Sequence, residues 1–226
     1  MNMLSSLKND SIPIKSKILG KSKTGKNLDI FTEIYKEDTN IVIWQRRLQK
    51  KIIEAASSAL LKAPDLELSE IVTSQTINSI LEKSLSSNLI YQPVIKDISS
   101  LVDIFCNLFL LEKVGIRLSR LDRAMCPRFH VDNVPCRLVT TYIGIATEWL
   151  QHDAADRTKL GHQTFAKKDE ESGIYKNKSD IQYLNRGDVA LLKGETWQGN
   201  KGGGLIHRSP YIQSSSPRLL LTIDFI

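Results

Sequence analysis

After the apolar core of NIVIW (Asn40 to Trp44), Leu48, Ile52, Ala56 and Leu60 recur at every fourth position, the spacing of one helix face, and the stripe stops at Pro64. A second helix is predicted over about Ser69 to Ser84 on Ile71, Ile77, Ile80 and Leu81, with Asn88 and Pro93 separating it from the next apolar stripe. The third stripe is the clearest. Val94, Ile98, Leu101, Val102, Phe105, Leu108 and Phe109 share one face, while Asp97, Ser100, Asp103 and Asn107 fill the other. Past Val114 the pattern shortens to runs of Val, Ile, Leu, Thr and Tyr broken by Gly, Pro and Asn, which reads as strands. The candidates are Ile116 to Leu118, Arg128 to Asp132, Arg137 to Ile143, Ile181 to Leu184, Val189 to Leu192, Leu205 to Arg208 and Leu219 to Phe225. So many short strands in the C-terminal half predict a sandwich or barrel with the helices packed outside it, an α+β fold.

The pattern divides the chain into a basic, loosely ordered arm over residues 1–38, a helical segment over 39–113 and a β domain over 114–226. A polar insertion over 151–180 interrupts the β domain, and so long a loop is expected either to cover a site or to be disordered.

Composition changes this picture little. Of the 226 residues, 41% are hydrophobic and 25% charged, which excludes disordered, collagenous and disulfide-scaffold classes. No run approaches the ~20 apolar residues of a membrane span and the first residues lack the apolar core of a secretory signal, so a cytoplasmic protein is expected. The three cysteines, Cys106, Cys126 and Cys136, cannot all pair, and reduced thiols are expected. Of the net charge of +6, +4 lies in residues 1–30, where six lysines face Asp10 and Asp29. A basic tail is not a basic groove, and no nucleic-acid partner is expected. Within it GKSKTGKN, Gly20 to Asn27, approaches the phosphate-cradling loop, but Asn27 stands where the magnesium-binding hydroxyl belongs.

The candidate chemistry begins at CPRFHVD, Cys126 to Asp132. On a strand, residues two apart share a side, so His130 and Asp132 can present an imidazole and a carboxylate to one ion. His207 in GLIHRSP supplies a second imidazole from another strand. Two imidazoles and a carboxylate form a facial triad that leaves coordination positions open, the arrangement suited to ferrous iron. Arg218 opens the strand RLLLTIDF just past a turn at Ser214 to Pro217 and can offer its planar fork to a carboxylate beside the histidine strand. Arg137 is a rival for that carboxylate, and Cys126 a possible further ligand that would favour zinc.

HVD, a distal His in GLIHRSP preceded by RGDVALLKG, and an Arg shortly after together resemble the iron(II)- and 2-oxoglutarate-dependent oxygenases over about Cys126 to Ile226. The resemblance implies a double-stranded β-helix, a cupin-like jelly roll. It also implies Fe(II) on His130, Asp132 and His207, and 2-oxoglutarate with its far carboxylate on Arg218. Many members carry Ser or Thr two residues after the arginine, where this chain has Leu220; Thr222, Tyr142 or Thr140 is then the expected hydroxyl donor. NIVIWQRRL, CPRFHVD, TTYIGIATEWL and the segment from LLKGETWQGN to HRSP also resemble an uncharacterised bacterial family associated with zinc homeostasis. Three functions are expected as alternatives: an oxygenase acting on an unknown small molecule or protein, a zinc-handling protein using the same ligands, and a metal-free cupin-like interaction module. His152 and His162 are expected to be exposed, Trp149 and Trp197 to pack, Glu148 and Glu195 to flank strand ends, and Gly199 to Gly204 to form a turn.

Overall fold

The computed structural model describes residues 20–161, 168–212 and 216–226. Most of the basic arm, His162 and part of the turn before Arg218 lie outside the described residues. In chain order the elements are β1 (Lys21–Gly25), β2 (Thr39–Trp44), α1 (Lys50–Lys62), β3 (Glu67–Val72), α2 (Ile77–Leu85), α3 (Gln92–Phe109), β4 (Val114–Leu121) and β5 (Cys136–Ile143). Next come β6 (Glu148–Leu150), α4 (Asp169–Ser172), β7 (Ile181–Tyr183), β8 (Val189–Lys193), β9 (Ile206–Arg208) and β10 (Arg218–Asp224). A seven-stranded major sheet runs β1-β2-β8-β5-β10-β4-β3, antiparallel except for the β1-β2 pair, and a three-stranded minor sheet runs β7-β6-β9.

Strand parity assigns the two faces of the major sheet to different cores. Leu138, Val189, Leu191, Leu219, Leu221 and Ile223 pack with Val94, Ile98, Leu101 and Phe105 of α3 and with the apolar faces of α1 and α2. Their neighbours Val139, Ala190, Leu192 and Leu220 face the other way and meet Trp149 and Leu205 beneath the minor sheet. Because both faces are covered, β8 and β10 read as continuous apolar runs rather than as an alternation. A third, small core of Phe129, Leu150, Ile174, Ile181 and Ile206 closes the outer face of the minor sheet, and the described part of the 151–180 insertion packs there through Ile174, Ala155 and Leu160. Among the described residues no helix is long and apolar enough to cross a membrane.

The structure corrects three expectations. Residues 21–25 are a strand, and Leu28–Tyr35 forms a 3-10 helix anchored by the buried Phe31 and Ile34, so the arm is structured from Gly20 to Asp38. The segment 39–113 contributes β2 and β3 to the major sheet as well as its helices. The predicted second helix begins at Ile77; Glu67–Val72 pairs antiparallel with β4, because the backbone groups of that sheet edge outweigh a stripe resting on Ile71, which is 61% exposed.

Helix α3 is tied to the sheet by a polar anchor as well as by its stripe. Arg46, just after β2, grips the Asp97 carboxylate at both oxygens (2.7 and 2.8 Å), and Tyr142 Oη donates to Asp97 Oδ2 at 2.6 Å. Arg46 and Asp97 side chains are each only 12% exposed, so removing one strands the other in a dry site. Asp97→Ala is therefore expected to cost about 3–5 kcal/mol in a urea titration. A loss below about 1 kcal/mol would show that Arg46 and Tyr142 find water instead.

Candidate metal centre

The segment Arg128 to Asp132 is not the strand that its apolar spacing suggested. Pro127 and the Asn133 to Pro135 turn limit it to a single bridge, in which His130 N–H donates to His207 O at 3.0 Å and His207 N–H returns to His130 O at 2.9 Å. That reciprocal pair is enough to bring the two imidazoles together, with ring centroids 4.6 Å apart. His207 itself is fixed in β9, opposite Trp149 of β6. Asp132 then turns back beneath them. One ligand atom from each of His130, Asp132 and His207 lies within 4.8 Å of the others. Imidazole Nε2 atoms sit 3.7 Å (His130) and 3.3 Å (His207) from the Asp132 oxygens. Ligands bound at ~2.1 Å and at right angles stand about 3 Å apart, so a slight contraction suffices for a shared ion.

The outer nitrogens are oriented as a ligand set requires. His130 Nδ1 lies 2.8 Å from Arg128 O and His207 Nδ1 lies 3.2 Å from Leu205 O. A carbonyl can only accept, so each Nδ1 carries the proton and each Nε2 keeps its lone pair for the centre. Burial, reinforced by the neighbouring His207, lowers the His130 pKa and favours the neutral ring. For Asp132 burial acts upward, but the neighbouring His207 ring and the Arg137 guanidinium outweigh it and hold the carboxyl well below the usual carboxylate range. Two imidazole nitrogens and an ionised carboxylate are the donor set for a divalent ion.

Asp132 is held from behind. Arg137 Nη1 forms an ion pair with its Oδ2 at 2.8 Å, and the same guanidinium forks onto Asp224 at 2.6 and 2.9 Å. Its backbone carbonyl accepts from Glu195 N–H at 2.9 Å, beside Gly194 N–H donating to Pro135 O at 2.8 Å. No side chain fits there: a Cβ on Gly194 would stand 1.9 Å from Val134 O and 2.9 Å from Asp132 O.

A cavity of about 60 Å³ adjoins the cluster through His130 and His207 and is lined further by Val139, Leu192, Leu220 and Thr222, with Arg117 and Met125 also on its wall. Arg218, fully buried, lines the same cavity. Its Nε and Nη2 donate to Thr141 Oγ1 (3.3 and 2.9 Å), and Nη2 also to Thr147 Oγ1 (2.8 Å). Nη1 is buried with no partner, and among the described residues no carboxylate pairs with this guanidinium. Burial alone lowers Arg218 to about 10, so it is still charged at neutral pH. Gly144, in a left-handed turn at φ +88°, lets the chain pass close to the Arg218 backbone, where a Cβ would meet Cα at 3.1 Å.

The remaining candidates divide by strand parity. Thr222 lines the cavity as expected. Tyr142 does not: it lies on the helix side of β5 with Leu138, where its hydroxyl serves Asp97. Thr140 shares that parity, and the hydroxyls that reach the arginine are those of Thr141 and Thr147. In the antiparallel register of β10 and β5, Thr141 stands opposite Leu220 and so shares its inward face, while the register shift beyond it places Ile143 opposite Leu219. Arg137 borders the cavity, but its fork is taken by Asp132 and Asp224, so it is no free carboxylate clamp. Cys126 is exposed at the cavity mouth and outside the three-ligand cluster; Cys136 is buried on the helix side, where burial pushes its thiol far up. Glu148 pairs with Arg208 at 2.6 Å, Trp149 packs between the sheets, and Trp197 packs against Tyr35 and Phe109. Glu195 accepts from the Gly202 and Gly204 amides in the predicted glycine turn.

A search of the curated proteins finds no match. Among solved structures, the dioxygenase for auxin oxidation 1 of Arabidopsis thaliana, in complex with 2-oxoglutarate, aligns with 92% of this chain and 92% of its own at TM-score 0.54 and 7% identity. A rice dioxygenase for auxin oxidation aligns at TM-score 0.48 and 9% identity over 83% of this chain and 73% of that one. A Pseudomonas putida prolyl-4-hydroxylase aligns at 0.47 and 11% over 93% and 98%. At such identities the likeness is one of fold, resting on the first of these: a mixed α+β domain of the double-stranded β-helix type. Residues 25–224 match the model of a family described as a protein of unknown function, DUF1826.

The close approach at Gly194 yields a direct check. Gly194→Ala is expected to push the 132–135 turn outward and weaken binding of cobalt(II) by about tenfold in a competition titration. Unchanged affinity would mean that Asp132 is placed by other contacts.

Proposed function

The chain belongs to that family, kinship therefore assigns it no chemistry, and we propose from its site that it is an iron(II)- and 2-oxoglutarate-dependent oxygenase. The observation that carries the reading is Arg218, a buried cation with one unpartnered nitrogen, lining the same cavity as His130 and His207 of the three-ligand cluster. A buried charge without a counter-charge is costly, and a ligand carboxylate at Nη1 would relieve that cost. A keto acid with a second carboxylate at its far end would meet both groups, chelating at the cluster and ending on Arg218. The residues present fit both groups.

In this reading His130, Asp132 and His207 hold the metal on one side and leave the cavity side open. Arg218 binds the far carboxylate, with Thr141 and Thr147 fixing the plane of its fork. Thr222 offers a hydroxyl on the same wall, while Leu192, Leu220 and Val139 exclude water from the ligand's carbon chain. The cavity is narrow, so entry requires the exposed Met125 side chain at its mouth to swing outward. When bound, iron(II) with 2-oxoglutarate supplies oxygen activation coupled to decarboxylation of the cosubstrate to succinate, with oxidation of a second substrate. Zinc would suit the same three ligands, and Cys126 stands at the same mouth, but a zinc-handling protein has no use for a buried guanidinium in the same cavity.

Anaerobic addition of iron(II) and then 2-oxoglutarate is expected to produce the weak visible charge-transfer band of the chelate, and air to release succinate slowly even without substrate. Both signals should vanish in His130→Ala and Asp132→Ala. Tight zinc binding with no saturable 2-oxoglutarate binding would overturn the oxygenase reading in favour of metal handling.

A further inference from the structure

His130 lies on a segment with almost no regular structure, and its one bridge to β9 does not by itself fix the approach of the chain. A second tie comes from the insertion. Asp169, in the short α4, is 4% exposed although it is a carboxylate in a polar stretch. Its Oδ2 accepts from the Phe129 N–H at 2.9 Å, one residue before His130. The same oxygen accepts from Arg208 Nη1 at 2.9 Å, one residue after His207. Its Oδ1 lies 3.4 Å from Arg128 Nε. Arg208 is locked in turn by Glu148 at 2.6 Å and lies 4.3 Å over the Phe129 ring.

One buried carboxylate thus joins the two segments that carry the imidazoles. Being charged and acceptor-only, it can hold an amide and a guanidinium at one oxygen and face Arg128 with the other, where a neutral amide would lack the charge and turn a donor NH2 toward one of these cations. Its neighbour Glu170 reaches only Arg208, at 3.8 Å, and so touches one of the two segments. Asp180 accepts only from Asn177 N–H within its own turn.

We propose that Asp169 is a positioning residue of the metal centre, setting the separation of His130 and His207, and that the short helix α4 is therefore a structural part of that centre. This rests on the proposed metal binding by those residues.

The test uses the full chain and cobalt(II) alone as the probe, whose visible absorption reports coordination number and geometry. Asp169→Asn is expected to weaken cobalt(II) binding by about ten- to a hundredfold and to alter the absorption band, as loss of a group that orients ligands does. Asp180→Asn, which disturbs the same insertion without touching either ligand segment, should keep wild-type affinity and band. Asp169→Glu keeps the charge but displaces the oxygens; it should fold and show an intermediate affinity, which keeps the test decisive if Asp169→Asn unfolds. Wild-type affinity and band in Asp169→Asn, or in Asp169→Glu where Asp169→Asn does not fold, would overturn the proposal while leaving the metal site standing. Equal losses in Asp169→Asn and Asp180→Asn would reduce Asp169 to general support of the insertion and overturn it as well. A wild-type chain that binds no cobalt would overturn this proposal and the metal reading together.

Discussion

A guanidinium sealed between two sheets, with two threonine hydroxyls for company and no carboxylate among the described residues, is the constraint around which the β domain is arranged. Arg218 is fully buried, and a cation in that position is tolerated only where the surrounding structure over-determines it. The apolar packing on both faces of β10 supplies that: Leu219, Leu221 and Ile223 bind the strand to the helices, and Leu220 seals the inner side. The arginine cannot turn out to solvent without pulling a central strand of the major sheet with it.

The helices matter to the site through the same strand. Helix α3 and its partners give the major sheet a rigid back, and the Arg46, Asp97 and Tyr142 anchor fixes β5, which pairs with β10 on one side and β8 on the other. From β5 come Arg137 at one end, steadying Asp132, and Thr141 near the other, steadying Arg218. One strand thus sets the distance between the candidate metal cluster and the buried guanidinium. The ligand cluster depends less on regular structure: a single bridge, a glycine contact and buried ion pairs hold it.

Much of this was legible in the residues. The stripe of α3 is a strong period and survives intact, and the runs of β5, β8, β9 and β10 are short, apolar and well bounded. His130, Asp132, His207 and Arg218 stand out because their chemistry is distinctive in that order, and the structure brings the first three together and sets the fourth on the wall of the adjoining cavity. What was hidden depends on partners distant in sequence. Glu67–Val72 is a strand only because β4 offers it an edge. Thr141 and not Tyr142 faces inward because the pairing with β10 sets it beside Val139 and opposite Leu220, a phase that the adjacent residues alone do not reveal. Asp169 lies in a polar loop whose acidic residues look alike until Arg208 and the Phe129 amide single one out.

The central claim is that Arg218 is kept at a cost to the ligand-free fold because it receives an anion. Replacing it by methionine, of similar length and without charge, measures both halves at once in paired denaturation and 2-oxoglutarate titrations of the metal-loaded chain. Expected is a ligand-free protein as stable as wild type or more stable, by up to about 4 kcal/mol, that still binds metal but no longer binds 2-oxoglutarate. A marked loss of stability with 2-oxoglutarate affinity unchanged would show instead that Arg218 is a structural residue, satisfied by Thr141 and Thr147 alone.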